Sequence, residues 1–232
     1  MSGISQGRAA GLIYLIVVAS GIFSLAYVPS QLISSGNVEA TVAAITASQG
    51  LLRWGIVASF VRDIAFLLLP FAFYRLLSHV DQHWAVLMVV FVAIAVPISL
   101  SALGHTIQIL TLVSNEAYLA AYSAEQRAAA IMLSLSAYNN GMRVASLFWG
   151  LWLFPLGYLV FRSGMLPKAL GVLLMLGCFG YLVNAFGATL IPGFSSTTLA
   201  RVASAPASIG EIGTCLWLVT FGARPLGVTR ST

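Results

Sequence analysis

The chain has 232 residues, of which 59% are hydrophobic and only 7% are charged, and its formal net charge is +5. Soluble domains carry roughly 25% charged residues, so this composition, with a mean hydropathy of +0.96, excludes a water-soluble globular protein. It predicts an all-α fold, a polytopic bundle of transmembrane helices in contact with the lipid bilayer. The basic residues do not form a patch, so the positive charge does not indicate a nucleic-acid partner.

Six apolar segments are long enough to cross a membrane, because a helix needs about 20 apolar residues to span the hydrocarbon core. The predicted spans are about 9–28, 53–77, 84–109, 138–161, 168–190 and 205–222. Together they make one predicted transmembrane domain over residues 1–232. The predicted inner connections are short, and no soluble domain is present.

The distribution of basic residues predicts how the chain is oriented. With the N-terminus inside, most arginines and the lysine fall at the inner ends of the spans, and the positive-inside rule is satisfied. The basic residues at these inner ends are Arg8, Arg75, Arg162, Lys168, Arg224 and Arg230. Both termini are therefore predicted to be cytoplasmic.

Two long connections are predicted on the outer side, residues 29–52 and 110–137. The first predicts a short interfacial helix with three aliphatic residues on one side. The second contains Ser123 followed by Gln126, the spacing of a capping box, which predicts a helix beginning near Ala124. The aliphatic residues of the interfacial helix are Val38, Val42 and Ile45.

The stretch FVRDIAFLLLP at residues 60–70 places two charges, Arg62 and Asp63, inside the second apolar span. At 1.5 Å per residue, Arg62 lies roughly 13 Å from the outer end of that span. A charge at such a depth costs at least about 2.5–3.5 kcal/mol on insertion scales, so it normally faces the bundle interior and finds a partner. Neighbouring residues point about 100° apart on a helix, so the two are not expected to pair with each other.

The other spans carry small and polar residues along one helical face each, at a similar depth. The stripes are Ser101, His105 and Gln108; Asn139, Arg143, Ser146 and Gly150; Gly177, Gly180, Asn184 and Gly187; and Ala207, Gly210, Glu211 and Thr214. Such faces let membrane helices approach and form hydrogen bonds. They predict a polar pocket that opens to the outside above an apolar floor. Its candidate ligand-binding residues are Arg62, Asp63, His105, Arg143, Asn184 and Glu211.

The two arginines and two carboxylates of this predicted pocket can neutralise one another. One arrangement pairs Arg62 with Glu211 and Asp63 with Arg143. The pairs either lock the bundle or form part of a site for a polar or anionic group. Intramembrane ionisable residues are often functional, and each guanidinium carries five N–H donors, which favours the site.

Metal and catalytic motifs are weak in this chain. His79 and His83 have the spacing of a helical metal pair, but they lie in a short solvated turn. His105 with Asp63 and Glu211 would make a histidine–carboxylate set, which the two arginines of the pocket oppose. No nucleophile elbow accompanies any serine. The sequence therefore identifies no metal site, cofactor or catalytic residue.

Residues 148–186, FWGLWLFPLGYLVFRSGMLPKALGVLLMLGCFGYLVNAF, resemble the bacterial membrane family known as domain of unknown function 4386. The shared features are Gly157–Tyr158–Leu159, Arg162–Ser163–Gly164, Leu166–Pro167–Lys168, Gly171 and Gly180–Tyr181–Leu182. The resemblance extends over about residues 7–222 and implies a multi-span protein of the bacterial inner membrane. It supplies no catalytic residues that could be assigned to this chain. An aspartate is expected after Gly-Tyr-Leu, and Asn184 stands there instead, which removes one charge from the predicted pocket.

Three functional hypotheses follow. The leading one is a non-enzymatic membrane protein that binds, with or without transporting it, a small amphiphilic or anionic molecule, whose polar group Arg62 and Arg143 would attract. The second is an accessory subunit with structural ion pairs, whose partner is another membrane protein. The third is an outward-facing membrane enzyme that uses Glu211 or Asp63 as its base.

Overall fold

The computed structural model describes residues 3–114 and 116–224. The α-helices are α1 Gly3–Gly21, α2 Val28–Leu32, α3 Val38–Ala47, α4 Gln49–Leu77, α5 Gln82–Leu112, α6 Ala124–Leu151, α7 Leu153–Ser163, α8 Lys168–Leu190 and α9 Thr198–Phe221. A π-helix at Ile22–Tyr27 joins α1 to α2, and short 3-10 helices occupy Ala117–Ala121 and Phe194–Ser196. No strand occurs in this part of the chain.

Six helical stretches of the described residues are long and apolar enough to cross a membrane. They are Ile4–Leu32, Gln49–Leu77, Gln82–Leu112, Ala124–Ser163, Lys168–Leu190 and Thr198–Phe221. The predicted all-α, multi-pass fold with six spans is therefore confirmed. The cytoplasmic position of both termini stays a prediction. Arg230, one of the basic residues on which this prediction rests, lies outside the described residues.

The predicted and observed spans agree best for the fifth, 168–190, and least for the fourth. The fourth begins at Ala124 rather than near residue 138, because the helix that starts in the outer connection continues without a break into the span. It breaks at Trp152, between α6 and α7. Pro155 explains the break, because its ring removes the N–H that would bond to the carbonyl of Leu151 and clashes with that carbonyl.

The capping box at the start of α6 is confirmed. The Gln126 backbone N–H donates to Ser123 Oγ at 3.2 Å, and the Ser123 N–H donates to Gln126 Oε1 at 2.8 Å. We expect Ser123→Ala to lower the free energy of unfolding by about 1 kcal/mol, because an orphan donor of the first turn loses its partner. Unfolding curves of the two proteins in the same detergent measure this, and unchanged curves would contradict it.

A short helix is present within residues 29–52 as α3, and its interfacial position stays a prediction. Its buried side includes one of the three predicted aliphatic residues together with Thr41. Ile45 is 1% exposed and Thr41 is 0% exposed, whereas Val38 is 44% exposed. Thr41 is buried because its hydroxyl bonds to the turn before the helix, accepting from the Ser34 N–H at 3.0 Å and donating to Asn37 O at 2.9 Å. Thr41 and Ile45 are one turn apart and face the same way.

The chain divides into two compact units, and the prediction of one transmembrane domain stays a prediction. The first unit comprises the described residues of 1–16, 65–96 and 144–232, and the second comprises 17–64 and 97–143. The core of the second unit is aliphatic and includes Val28, Leu52 and Ile109.

Glycines and aromatic rings pack the first unit. A Cβ added at Gly157 would lie 2.6 Å from the backbone oxygen of Gly171, so α7 and α8 approach too closely for a side chain there. The predicted small-residue face of α8 packs against α9 in the same way at Gly180. Around Trp152, the rings of Tyr14, Phe66 and Phe73 make edge-on and tilted contacts.

Candidate functional site

Arg62 and Asp63 form a buried ion pair in the second unit. Arg62 Nε lies 2.9 Å from Asp63 Oδ1, and the two side chains are 5% and 1% exposed. The prediction that these neighbours would not pair is wrong. Adjacent Cα atoms are only about 3.8 Å apart, and the long arginine stem folds back across the angle that separates the two side chains.

Ser99 of α5 closes a ring with this ion pair. Arg62 Nη2 donates to Ser99 Oγ at 2.9 Å, and the Ser99 hydroxyl donates to Asp63 Oδ2 at 2.9 Å. Ser99 is fully buried, whereas Ser101, which the predicted polar stripe contained, is exposed. Each oxygen of the Asp63 carboxylate thus accepts a hydrogen bond. Asp63 therefore does not need the predicted partner Arg143.

Two further side chains connect Arg62 to the π-helix and to α6. Arg62 Nη1 donates to Ser24 Oγ at 3.4 Å, and Tyr138 forms a hydrogen bond with the same arginine. Ser24 lies within the π-helix, where the Val28 N–H reaches back to Phe23 O. Pro29 favours this wider turn because it cannot donate a backbone hydrogen bond. The polar stripes predicted from the sequence did not include Ser24, Ser99 or Tyr138. Each of these residues is uncharged, so the search for intramembrane charges did not single it out.

A cavity of about 210 Å³ lies beside this cluster in the second unit. Its lining is mostly aliphatic and includes Leu32, Ile45, Ile56, Leu103 and Leu135. The polar lining residues are Ser24, Ser59, Thr106, Tyr138 and Asn139. Two of these, Ser24 and Tyr138, also contact Arg62, so the ion pair stands directly behind the polar part of the wall.

His105 and Arg143 belong to the second unit but do not line the cavity. His105 is half-buried and Arg143 is exposed. The neighbours Thr106 and Met142 line the cavity instead, because one residue along a helix turns the side chain by about 100°. Among the described residues, no group of three or more His, Cys, Asp and Glu side chains could hold a metal ion.

Glu211 of α9 is held by tyrosines in the first unit. Tyr14 Oη donates to Glu211 Oε2 at 3.3 Å, and Tyr181 forms a second hydrogen bond with this glutamate. Arg62, its predicted partner, is paired with Asp63 instead. Tyr14 was not predicted as part of any site, although a tyrosine buried in a span needs a partner for its hydroxyl.

Asn184 of α8 also lies in the first unit. Its Nδ2 donates to Ala200 O at 3.1 Å and to Ser204 Oγ at 2.8 Å, which ties α8 to α9. The six predicted site residues are thus divided between the two units, with Arg62, Asp63, His105 and Arg143 in one and Asn184 and Glu211 in the other. A single pocket that contains all six stays a prediction.

Comparison with known proteins gives a family assignment. The family described as Domain of unknown function (DUF4386) matches residues 9–222. An archaeal protein from Archaeoglobus fulgidus, described as an uncharacterized protein, is 38% identical over 50 residues, which are 22% of this chain and 31% of that protein. No solved structure matches the chain. Because the family match extends over most of the six-helix fold, the chain belongs to the DUF4386 family of multi-span membrane proteins.

Proposed function

We propose that this protein binds one small amphiphilic molecule in the cavity of the second unit. The observation that carries the proposal is a wall that is aliphatic over most of its area and polar where Ser24 and Tyr138 meet Arg62. At about 210 Å³, the cavity exceeds the roughly 150 Å³ that accommodates benzene in an engineered protein. The apolar part of the ligand lies among the aliphatic residues, and its polar group meets the hydroxyls.

The buried charges favour a neutral polar group over an anion. Asp63 neutralises Arg62. Ser99 accepts a hydrogen bond from Arg62 and donates one to Asp63. An anion would have to compete with a carboxylate that already lies 2.9 Å from the guanidinium. A ligand hydroxyl, by contrast, only has to donate a hydrogen bond to the hydroxyl oxygen of Ser24 or Tyr138. The prediction of an amphiphilic or anionic ligand therefore narrows to an amphiphile with an uncharged head group.

Selectivity has to come from those hydroxyls. Lipid tails are as apolar as the cavity wall, so an alkyl chain that enters from the bilayer gains little hydrophobic free energy. A hydrogen bond to the head group contributes about 0.5–1.5 kcal/mol. Tyr138, which both lines the cavity and contacts Arg62, is the residue best placed to make it.

The test uses 1-octanol as the probe and native mass spectrometry of the whole protein in mild detergent. We expect one octanol per chain. Leu135→Trp should abolish this uptake, because the indole fills the cavity that Leu135 lines. Leu133→Trp is the matched control, since Leu133 is on the same helix, is 71% exposed and does not line the cavity. Equal uptake by the two variants would show that octanol adsorbs to the outer surface, and the proposal would fail.

The proposed setting is the cytoplasmic membrane of a bacterium, with both termini in the cytoplasm. Six apolar spans and membership in the family support the membrane, and the basic residues at the predicted inner ends support the orientation. Binding without transport is the simplest form of the proposal.

An accessory subunit of a membrane complex is the second candidate. Arg62, Asp63 and Ser99 bond to one another, and Arg62 also bonds to Ser24. Buried polar groups that serve only the structure require partners of this kind within the protein. In that case the wild-type protein takes up no octanol and co-purifies with another membrane protein. The enzyme hypothesis gains no support, because both oxygens of Asp63 and one of Glu211 accept hydrogen bonds from the protein.

A further inference from the structure

A second, polar cleft lies within the first unit, at the end of α8 that is nearest Leu190. Its volume is about 450 Å³, within the range of roughly 300–1,000 Å³ that is typical of small-molecule sites. It is lined by Ser146, Tyr181, Asn184, Ser195, Arg201 and Ser204. Its lining contrasts with the aliphatic cavity of the second unit, so it would take a ligand of different chemistry.

The hydrogen bonds inside this cleft fix which groups remain for a ligand. Asn184 uses its amide nitrogen twice, on Ala200 O and Ser204 Oγ, which leaves its Oδ1 as an acceptor. Ser204 Oγ donates to Ala200 O at 3.0 Å. The Tyr181 hydroxyl is engaged with Glu211. The cleft therefore offers an acceptor at Asn184, whereas the hydroxyls of Ser204 and Tyr181 are already engaged.

Arg201 supplies the charge. It is exposed, and among the described residues its guanidinium has neither a hydrogen bond nor an ion pair. It is also the only ionisable lining residue besides Tyr181 in this cleft. A guanidinium presents two parallel N–H groups that match the two oxygens of a carboxylate. The free donors at Arg201 and the free acceptor at Asn184 together describe a ligand with an anionic and a donating group.

We propose that this cleft binds a small hydroxycarboxylate. The carboxylate lies on the Arg201 guanidinium, and the hydroxyl of the ligand donates to Asn184 Oδ1. Ser195, which is exposed at the same cleft, adds a second donor to the carboxylate. A plain carboxylate of equal length binds less tightly, by about 2–10-fold, because it lacks the hydrogen bond to Asn184.

The experiment measures binding of sodium lactate to the full chain in mild detergent by saturation-transfer difference NMR, with sodium propionate as the comparison ligand. The wild-type protein should bind lactate saturably and more tightly than propionate. Arg201→Ala should weaken lactate binding by at least about 10-fold, because it removes a charge-assisted hydrogen bond. Asn184→Asp should weaken it as well, because a second carboxylate then faces the ligand.

Arg53→Ala is the matched control, because Arg53 is also an exposed arginine but does not line the cleft. If Arg201→Ala and Arg53→Ala bind lactate equally, or if the wild-type protein shows no saturable binding, the proposal is wrong. The proposed octanol site is tested independently of this one. Arg201→Ala should take up octanol as the wild type does, and Leu135→Trp should still bind lactate.

Discussion

Arg62→Ala is expected to lower the free energy of unfolding by about 3–5 kcal/mol, which is the cost of removing one partner of a buried ion pair. The substitution leaves the Asp63 carboxylate buried with Ser99 as its remaining donor. It also removes the donors that reach Ser24 Oγ and Ser99 Oγ. Equilibrium unfolding in detergent micelles, followed by tryptophan fluorescence, measures the difference from the wild-type protein.

Arg53→Ala is the control for this change, because Arg53 is on the same helix but exposed, and it should leave the free energy of unfolding nearly unchanged. Asp63→Ala should cost about as much as Arg62→Ala, since either single variant strands a buried charge. The double variant should cost less than the sum of the two, because no charge is left unpaired. An Arg62→Ala protein as stable as Arg53→Ala would refute a structural role for the ion pair.

One further variant of the ion pair, Asp63→Asn, helps to separate the two candidate functions. Octanol binding requires Tyr138 to keep its position against Arg62. A folded Asp63→Asn protein keeps the shape of the ring with a neutral side chain, so a binding protein should still take up octanol. If the ion pair serves only to hold the bundle, octanol uptake is absent from the wild-type protein as well.

The spans could be predicted from the sequence because length and apolarity alone decide which segments cross a bilayer. The capping box placed the start of α6 correctly, since Ser123 and Gln126 act through local backbone bonds. The fourth span was predicted too short because hydropathy falls in the outer turns of α6, whereas the helix continues. The π-helix could not be predicted, since it follows from how Pro29 is accommodated rather than from a sequence period.

Within the site, the sequence identified the charged residues but not their partners. Periodicity assigns a residue to a helical face, but it does not say how far a long side chain bends from that face. Arg62 therefore reaches its own neighbour Asp63, against the prediction. Glu211 was singled out as an intramembrane carboxylate, but its partners are tyrosines, which no charge count reveals. Arg201, which was not among the predicted site residues, lines the polar cleft.

Gly180→Ala is the second change for which we expect a large effect. A Cβ at this position would lie 1.9 Å from the backbone oxygen of Ala203. Because the obstacle is backbone rather than the end of a flexible side chain, α8 and α9 would have to move apart. Overpacking of this kind costs about 1–3 kcal/mol and occasionally more. Thermal or denaturant unfolding of the purified variant measures the loss.

Gly104→Ala is the matched control, since Gly104 is also inside a helix and a Cβ there would meet nothing within 4 Å. It should leave the free energy of unfolding unchanged or raise it by up to about 1 kcal/mol, because alanine favours helix over glycine. Gly180→Ala should also weaken lactate binding, because separating α8 from α9 breaks the bonds from Asn184 to Ala200 and Ser204. Equal stability of the two variants would mean that α8 and α9 do not pack this closely. The geometry assigned to the polar cleft would then also be wrong.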